Sequence, residues 1–241
     1  MASGVPASRG RDVLRMTLST THPDVEARAQ LSAGHSDSTI YRMVARAVAR
    51  RGIGNATLID VGCGRGALRI HVAPFARRYI GIDAVRYEGI EPGVEFHQVN
   101  LDRPDTLADL EGTGDVVVAV ETIEHLENPR AFMRLLVRMT RPGGWVIVTT
   151  PNVRSALSLA TLVVRGQFSQ FQDVHYPAHL SPMLEVDLRR IASEIALDDV
   201  AVEYSERGRM VFTPWHYPSW LSRQLPRACS DNLLLAGRRR T

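Results

Sequence analysis

The chain has 241 residues, of which 44% are hydrophobic and 23% charged, and a formal net charge of +3 at pH 7. A chain of this length and composition can bury one sizeable core, so we expect one domain. Its two cysteines, Cys63 and Cys229, are too few and too distant for a disulfide framework or a zinc ribbon, which predicts a reducing, cytoplasmic location. No run of about 18 apolar residues exists and residues 1–30 hold no apolar block, so we expect neither membrane insertion nor a signal peptide.

The N-terminal segment, residues 1–34, is rich in Ser, Thr, Gly and Ala and has no sustained periodicity. We expect it to be flexible, or to order only over a bound ligand. Ser36–Ser38 then offers a helix N-cap, and apolar residues recur at helical spacing, which predicts an amphipathic helix ending at Arg51. We place the folded domain at residues 35–241.

The first predicted strand ends in three alternating glycines, Gly62, Gly64 and Gly66, with Cys63 between the first two. Glycines at the end of a buried strand let the backbone turn tightly and come close to a ligand. Asp60 precedes them. Because a carboxylate there would repel the pyrophosphate of a dinucleotide, the loop favours a cationic ligand.

The next strands also end in polar residues. Arg78–Asp83 reads as a second strand, and an acid at its tip is placed to accept hydrogen bonds from ribose hydroxyls. Val94–Val99 predicts a third strand. The nearly continuous apolar run of Gly114–Val120 predicts a central parallel strand that carries Glu121 to the rim of the pocket.

The second half alternates predicted helices and strands. We predict helices over Arg130–Arg141, Leu157–Val164 and Ser181–Ala196, and strands over Trp145–Thr149, Val200–Tyr204 and Asp231–Gly237. Two segments do not fit this alternation: a substrate-region insert at about 153–183, and an aromatic segment at 209–228. The aromatic residues of 212–221 are compatible with a lid, an acceptor shelf, a partner surface or packing onto the sheet.

The order of these motifs across residues 57–152 resembles the class I S-adenosylmethionine (SAM)-dependent methyltransferases, in particular the group that includes quinone-precursor and sugar O-methyltransferases. The resemblance implies an α/β, Rossmann-like, doubly wound and mostly parallel seven-stranded sheet with an antiparallel closing strand. It implies SAM as cofactor, with Asn100 favoured over Asp102 at the adenine edge. The implied cofactor-binding residues are Asp60, Gly62, Cys63, Gly64, Gly66, Asp83, Ala84, Asn100, Leu101 and Glu121.

The string Glu121-Thr-Ile-Glu124-His125 places two carboxylates and an imidazole on one face of a helical turn. It also resembles the metal-dependent small-RNA 2′-O-methyltransferases, in which such a string and a downstream histidine bind a metal. His175 and His179 are the downstream candidates, but the Phe-Glu-Trp-Thr-Arg run expected beside that histidine is absent. We therefore prefer a site without a metal, with His125 as the first candidate general base and His175 and His179 next.

We expect methyl transfer to a hydroxyl of a small molecule, a glycan or a secondary metabolite, while the oligomeric state is left open. The alternatives are the metal-dependent RNA 2′-O-methyltransferase, a nicotinamide-dependent oxidoreductase and a non-catalytic SAM-binding partner protein. An oxidoreductase expects Gly-x-Gly-x-x-Gly and tolerates Asp60 poorly, and the intact motifs argue against a non-catalytic protein. Nucleic acid is a less favoured partner, because arginines dispersed among acids more often form a solvated surface.

Overall fold

The computed structural model describes residues 23–32, 34–91, 93–104 and 107–241. One seven-stranded sheet runs through these residues in the order β3-β2-β1-β4-β5-β7-β6. Its strands are β1 Ala56–Val61, β2 Ala76–Asp83, β3 Glu95–Gln98, β4 Gly114–Ala119, β5 Thr140–Pro151, β6 Leu197–Tyr204 and β7 Asn232–Arg239. The helices are α1 Pro23–Leu31, α2 Ser38–Arg50, α3 Leu68–Val72, α4 Pro129–Met139, α5 Ala156–Arg165, α6 Glu185–Glu194 and α7 Ser219–Gln224.

The sheet has the predicted topology. The pairs β1–β2, β1–β4, β2–β3 and β4–β5 are parallel, and β7 pairs antiparallel with both β5 and β6. The predicted α/β, doubly wound, Rossmann-like fold with an antiparallel closing strand is therefore confirmed. Because β7 runs against its neighbours, its first residue lies at the same edge of the sheet as the last residues of the parallel strands.

Helices cover both faces of the sheet, which explains why its central strands are apolar throughout. On one face, Met43 and Val44 of α2 and Leu68 of α3 join a buried cluster with β1 and β4. On the other, Phe132 of α4 and Leu188 of α6 join a second cluster. All six residues of β1 are buried. The apolar content of the chain therefore forms a rigid support, and the loops at the carboxyl edge carry the polar residues.

Several elements differ from the predictions in their bounds, and the helices α1, α3 and α7 were not predicted. The helix predicted from Ser181 begins only at Glu185, because Pro182 disfavours helical backbone at the residue before it. The strand predicted from Trp145 begins at Thr140, and its register shifts near the Pro142 turn, where a missing N–H is tolerated. Within the segment expected to be flexible, Pro23–Leu31 forms a helix, while residues 1–22 lie outside the described residues.

The aromatic segment does not pack onto the sheet. Phe212, Trp215 and Trp220 are between 61% and 80% exposed. Both cysteines are buried and free. Within the described part of the chain, no helix combines the length and the apolar character that crossing a bilayer requires.

Candidate active site

A cavity of about 560 Å³ opens at the carboxyl edge of the sheet, a size that suits small-molecule sites. Most of the predicted site residues line it: Asp60, Gly62, Cys63, Gly64, Asp83, Ala84, Leu101, Glu121, His125 and His179. The topology therefore gathers residues that are distant in the sequence into one wall.

Gly62 and Gly64 are required both by their backbone conformation and by the lack of space for a side chain. Gly62 has a φ of +77°, and a Cβ there would lie 2.3 Å from the Thr122 side-chain oxygen. Gly64 has a φ of +52°, and a Cβ there would lie 2.2 Å from the carbonyl oxygen of Gly34. A side chain at Gly62 would clash with the Thr122 side chain, and one at Gly64 would clash with the Gly34 backbone. The loop shape is thus specified by this chain's own contacts.

Asp83 links the second strand to the glycine loop. Its Oδ2 accepts a hydrogen bond from the Gly64 N–H at 2.8 Å, and its Oδ1 accepts one from the Val85 N–H at 3.3 Å. Burial raises the pKa of Asp83, and these backbone donors oppose the shift. The carboxylate is therefore fixed in the cavity wall, with lone pairs left to accept hydrogen bonds from a ligand's hydroxyl groups.

Asp60 lies at the end of β1 and is buried. The Tyr79 hydroxyl donates to its Oδ2, whereas its Oδ1 has no hydrogen-bond partner among the described residues. Burial raises the pKa of Asp60 to about 7, and the hydrogen bond from Tyr79 opposes the shift. A buried, unpartnered carboxylate oxygen in a cavity wall is suited to a cationic ligand.

Two predicted cofactor residues do not line the cavity. Asn100 is buried, and its Oδ1 accepts from the Asp102 N–H at 2.9 Å, so its side chain stabilises the turn after β3. Gly66 provides a turn with a φ of +75°. The neighbouring Leu101 and Asp102 reach the cavity instead. Asp102 therefore lines the cavity and Asn100, the residue favoured at the adenine edge, does not. The adenine contact itself stays a prediction.

Glu121 is held in the wall by two other strands. The Thr149 hydroxyl donates to its Oε1 at 2.9 Å, and the Asn232 side-chain amide donates to its Oε2 at 2.7 Å. Its backbone has a φ of +49°, a strained conformation for a non-glycine residue, and its N–H donates to the Thr149 side chain. Burial and the nearby Glu124 carboxylate raise the pKa of Glu121 well above its ordinary value.

The expectation that Glu121, Glu124 and His125 share one helical turn is wrong. A 3₁₀ helix begins at Ile123, and Glu121 precedes it in the left-handed conformation. Glu124 and His125 instead meet His179, and one potential ligand atom from each lies within 4.8 Å of the other two. Glu124 Oε2 accepts from Thr150, Oε1 has no partner among the described residues, and burial raises the Glu124 pKa to about 8.

His125 and His179, which line the main cavity, make the same kind of hydrogen bond. The Nδ1 of His125 lies 2.7 Å from the Ala178 carbonyl oxygen, and the Nδ1 of His179 lies 2.6 Å from the Gln170 carbonyl oxygen. A carbonyl only accepts, so Nδ1 carries the proton in both neutral rings and Nε2 is the unprotonated nitrogen. Burial lowers the pKa of His125, against the opposing effect of the nearby Glu121 backbone, which acts to raise it. Burial together with His125 lowers the pKa of His179 to about 4. Both rings are therefore neutral at pH 7.

His175 is separated from this pair. Its ring stacks on His179 at 5.6 Å between centroids, and its Nδ1 accepts from the Gln172 N–H. It lines a smaller cavity of about 200 Å³ beside Leu31 and Tyr176 rather than the main one. Of the three predicted catalytic histidines, the structure thus brings two to the main cavity.

Several residues that shape the site were not predicted from the sequence. Arg28 of α1 donates to Asp102 at 2.9 Å, so the N-terminal helix forms part of the cavity wall. Asn232 holds Glu121, and the antiparallel direction of β7 was the only available signal for its position. Arg207, Arg209 and His216 also line the cavity, and nothing in their sequence pattern marked them.

The comparisons with known proteins agree with this geometry. A family described as a methyltransferase domain matches residues 34–202, which is most of the chain. The ubiquinone biosynthesis O-methyltransferase of Xanthomonas oryzae pv. oryzae is 28% identical over 190 residues, covering 72% of this chain and 74% of that protein. The enzyme of that name from Cronobacter sakazakii is 31% identical over 118 residues, covering 46% and 48%.

Solved structures share the fold at low sequence identity. A SAM-dependent methyltransferase from Archaeoglobus fulgidus has a TM-score of 0.57 at 17% identity, covering 83% of this chain and 94% of that one. The 1,6-didemethyltoxoflavin-N1-methyltransferase of Burkholderia thailandensis, solved with its substrate and S-adenosylhomocysteine, has a TM-score of 0.58 at 16% identity, covering 92% of both chains.

The chain belongs to the methyltransferase-domain family and is a class I SAM-dependent methyltransferase. SAM is its cofactor, as the sequence analysis predicted. The residues present suit this cation, because the wall offers the unpartnered carboxylate oxygen of Asp60 and a glycine loop that a Cβ would block. The nicotinamide-dependent alternative has no support from the comparisons.

Proposed function

We propose that this methyltransferase acts on a hydroxyl oxygen of a small-molecule acceptor, with His125 as general base. The supporting observation is the pair of neutral histidines, His125 and His179, in the wall of the cavity that also contains Asp60 and Asp83. A hydroxyl nucleophile must lose its proton during the transfer, and an unprotonated Nε2 can accept it. The relatives' names as O-methyltransferases agree with an oxygen acceptor.

Methyl transfer requires mainly that the acceptor oxygen and the methyl group of SAM are aligned. SAM supplies an electrophilic methyl group when it is bound. Asp83 and the glycine loop hold the nucleoside, Asp60 faces the positive charge, and Nε2 of His125 takes the acceptor proton. Alignment of the two reactants lowers a barrier by roughly 7 to 11 kcal/mol, and a positioned base adds roughly a hundredfold or more.

The acceptor classes that we propose are a phenolic or secondary-metabolite hydroxyl and a glycan hydroxyl, in a cytoplasmic enzyme. The test is a mass-shift screen with isotope-labelled SAM against phenolic, glycan and RNA acceptors. Label in a phenolic or glycan product supports the proposal, whereas label confined to RNA would contradict it. Calorimetric titration of SAM and NAD in parallel checks the cofactor site independently, and SAM alone should bind.

A second candidate is the same transfer assisted by a divalent cation, and a specific observation favours it. Glu124, His125 and His179 offer one carboxylate oxygen and two imidazole nitrogens within 4.8 Å of one another. The Glu124 Oε1 is buried and unpartnered, and both imidazole Nδ1–H groups donate to backbone carbonyls, as metal-ligating histidines commonly do. A cation there would lower the pKa of a bound hydroxyl. This candidate keeps the RNA 2′-O-methyltransferase alternative open.

Chelation separates the two candidates. With His125 as the base, exhaustive treatment with EDTA should leave turnover unchanged, because no step requires a cation. The measurement is the initial rate on an identified acceptor after chelation, with Mg²⁺, Mn²⁺ and Zn²⁺ added back singly. Loss of turnover with intact SAM binding, restored by one cation, would establish the metal-assisted candidate. Glu124→Gln should then weaken cation binding, and Glu127→Gln, on the exposed neighbouring acid, should not.

SAM affinity should rise with pH through the Asp60 titration. The pKa of Asp60 is about 7 in the folded protein, and a sulfonium cation favours the deprotonated form. Affinity should therefore increase by about tenfold as pH rises from one unit below this pKa to well above it. Calorimetry across this range checks the expectation, and Asp60→Asn should flatten the dependence. A pH-independent affinity in the unmodified protein would contradict the role of Asp60.

The raised pKa of Asp60 also affects the stability of the ligand-free protein. SAM affinity should rise with pH, whereas this contribution to stability should fall. The folded-state pKa of Asp60 is raised above the value of 3.8 in the unfolded chain, so the folded state binds more protons between these two values. The Asp60 contribution to stability therefore falls as pH rises from about 4 to about 7. Asp60→Asn should remove this contribution while it weakens SAM binding.

A further inference from the structure

A short hairpin follows β6 at the carboxyl edge of the sheet and presents cations to the cavity. It spans residues 208–217. The Tyr217 N–H donates to the Gly208 carbonyl at 2.9 Å, and the Met210 N–H donates to the Trp215 carbonyl at 2.8 Å. These bonds fix an antiparallel pairing, so the direction of each side chain follows from its position.

Two basic side chains of this hairpin and one that immediately precedes it line the main cavity. Arg209 and His216 face each other across an antiparallel bridge. Residues opposite one another in an antiparallel pair lie on the same face. Arg207 immediately precedes the hairpin. The exposed Trp215 alternates onto the other face.

The positive charge of these three side chains is only partly neutralised. The Arg207 guanidinium lies near Asp37, but the two side chains are not joined by a hydrogen bond. The Arg209 Nε lies 3.5 Å from the Asp231 carboxylate, which also accepts the Arg209 N–H at 3.1 Å. Asp37 caps α2 through a 2.7 Å hydrogen bond from the Thr39 N–H, and this residue lowers the pKa of the carboxyl most, while Arg207 helps to lower it. Arg207 thus remains an available donor at the cavity wall.

The face that Arg209 and His216 share lies far from the nucleoside end of the cavity. Asp83 ends β2 and Asp231 immediately precedes β7, four strands away in the sheet order, which corresponds to roughly 19 Å at the usual strand spacing. The methionine chain of SAM extends from the ribose through five single bonds of about 1.5 Å, at most about 7 Å. A nucleoside held on Asp83 therefore leaves space at this end of the cavity for a second molecule.

We propose that Arg207, Arg209 and His216 form an anion subsite for the acceptor, so that the acceptor carries a carboxylate or phosphate in addition to its hydroxyl. The inference deepens the proposed function and rests on it. Guanidinium groups bind such anions through short, charge-assisted, often bidentate hydrogen bonds. Asp37 and Asp231 also line this end of the cavity and offset part of its positive charge. Arg207 and Arg209 still supply guanidinium donors that suit an anionic acceptor.

The test compares two probes on the protein saturated with S-adenosylhomocysteine. 4-Hydroxybenzoate carries the anion, and 4-hydroxybenzamide is its neutral counterpart. Calorimetry or ligand-observed NMR should give about tenfold tighter binding of the benzoate, and inorganic phosphate should compete with it. Arg207→Ala and Arg209→Ala should each remove most of this preference. Arg190→Ala, on an exposed arginine of α6 outside the cavity, should retain it.

Each contrary outcome has a distinct meaning. Equal binding of the two probes, or a preference that survives Arg207→Ala, would overturn the anion subsite. A tenfold loss of S-adenosylhomocysteine affinity in Arg207→Ala, with 5′-methylthioadenosine affinity unchanged, would assign the anion to the cofactor's own carboxylate and overturn the acceptor inference. Failure of the unmodified protein to bind S-adenosylhomocysteine would instead contradict the proposed cofactor site.

Discussion

Replacing His125 with alanine should lower kcat by about a hundredfold or more while SAM affinity stays unchanged. The variant removes the Nε2 lone pair that accepts the acceptor proton, and the loss corresponds to the usual contribution of a positioned general base. The Asp60, Asp83 and glycine-loop contacts are untouched, so the cofactor still binds. The measurement is turnover at saturating SAM and acceptor, together with calorimetric titration of SAM.

The pH profile and a matched variant show whether the effect is chemical. Because burial lowers the pKa of His125 below its ordinary value of 6.5, kcat should fall only as pH drops below that value. His175→Ala, on a histidine that stacks on His179 but lies outside the main cavity, should change kcat little. Equal losses in His125→Ala and His175→Ala would contradict the assignment of the base.

Asp83→Asn should weaken SAM binding by about tenfold or more. Removal of the charge leaves the ribose hydroxyls with a poorer acceptor, at about 1 to 3 kcal/mol, and tenfold in affinity corresponds to about 1.4 kcal/mol. Asparagine is the better replacement, because its carbonyl oxygen can still accept the Gly64 N–H that holds the loop. The melting temperature without ligand should therefore change little.

An exposed acid provides the control for Asp83. Asp198 lies on β6 and pairs with Arg240 at the surface, so Asp198→Asn should leave SAM affinity unaltered. Unchanged SAM affinity in Asp83→Asn would refute the ribose assignment. A large fall in its ligand-free melting temperature would show that Asp83 acts mainly through the loop, and Asp83→Glu would then separate charge from shape.

The fold and the position of Asp60, Asp83 and Glu121 in one cavity wall were predictable because their signals are local. Strands buried on both faces need continuous apolar runs, and the glycines at 62 and 64 are required by backbone conformation. Residues at the ends of parallel strands converge at one edge, so Asp60, Asp83 and Glu121 could be placed together from the topology alone.

The local geometry around Glu121, Glu124 and His179 was not predictable in the same way, because it depends on contacts between distant segments. The helical turn expected at Glu121 fails because Thr149 and Asn232, from two other strands, hold this residue in a strained conformation. His179 meets Glu124 and His125 only through the path of an irregular segment, along which Leu180 and Ser181 donate to the Glu124 carbonyl. The hydrophobic periodicity of a sequence does not indicate the path of an irregular segment.

The most direct test of the account is to locate the transferred methyl group on the product of an identified acceptor. Turnover with methyl-labelled SAM, followed by NMR of the product, identifies the atom that receives the label, and His125→Ala run in parallel ties the transfer to the base. The account predicts a labelled methyl ether on the acceptor hydroxyl, formed about a hundredfold more slowly by the variant. Label on nitrogen or carbon, or equal rates in the two proteins, would contradict it.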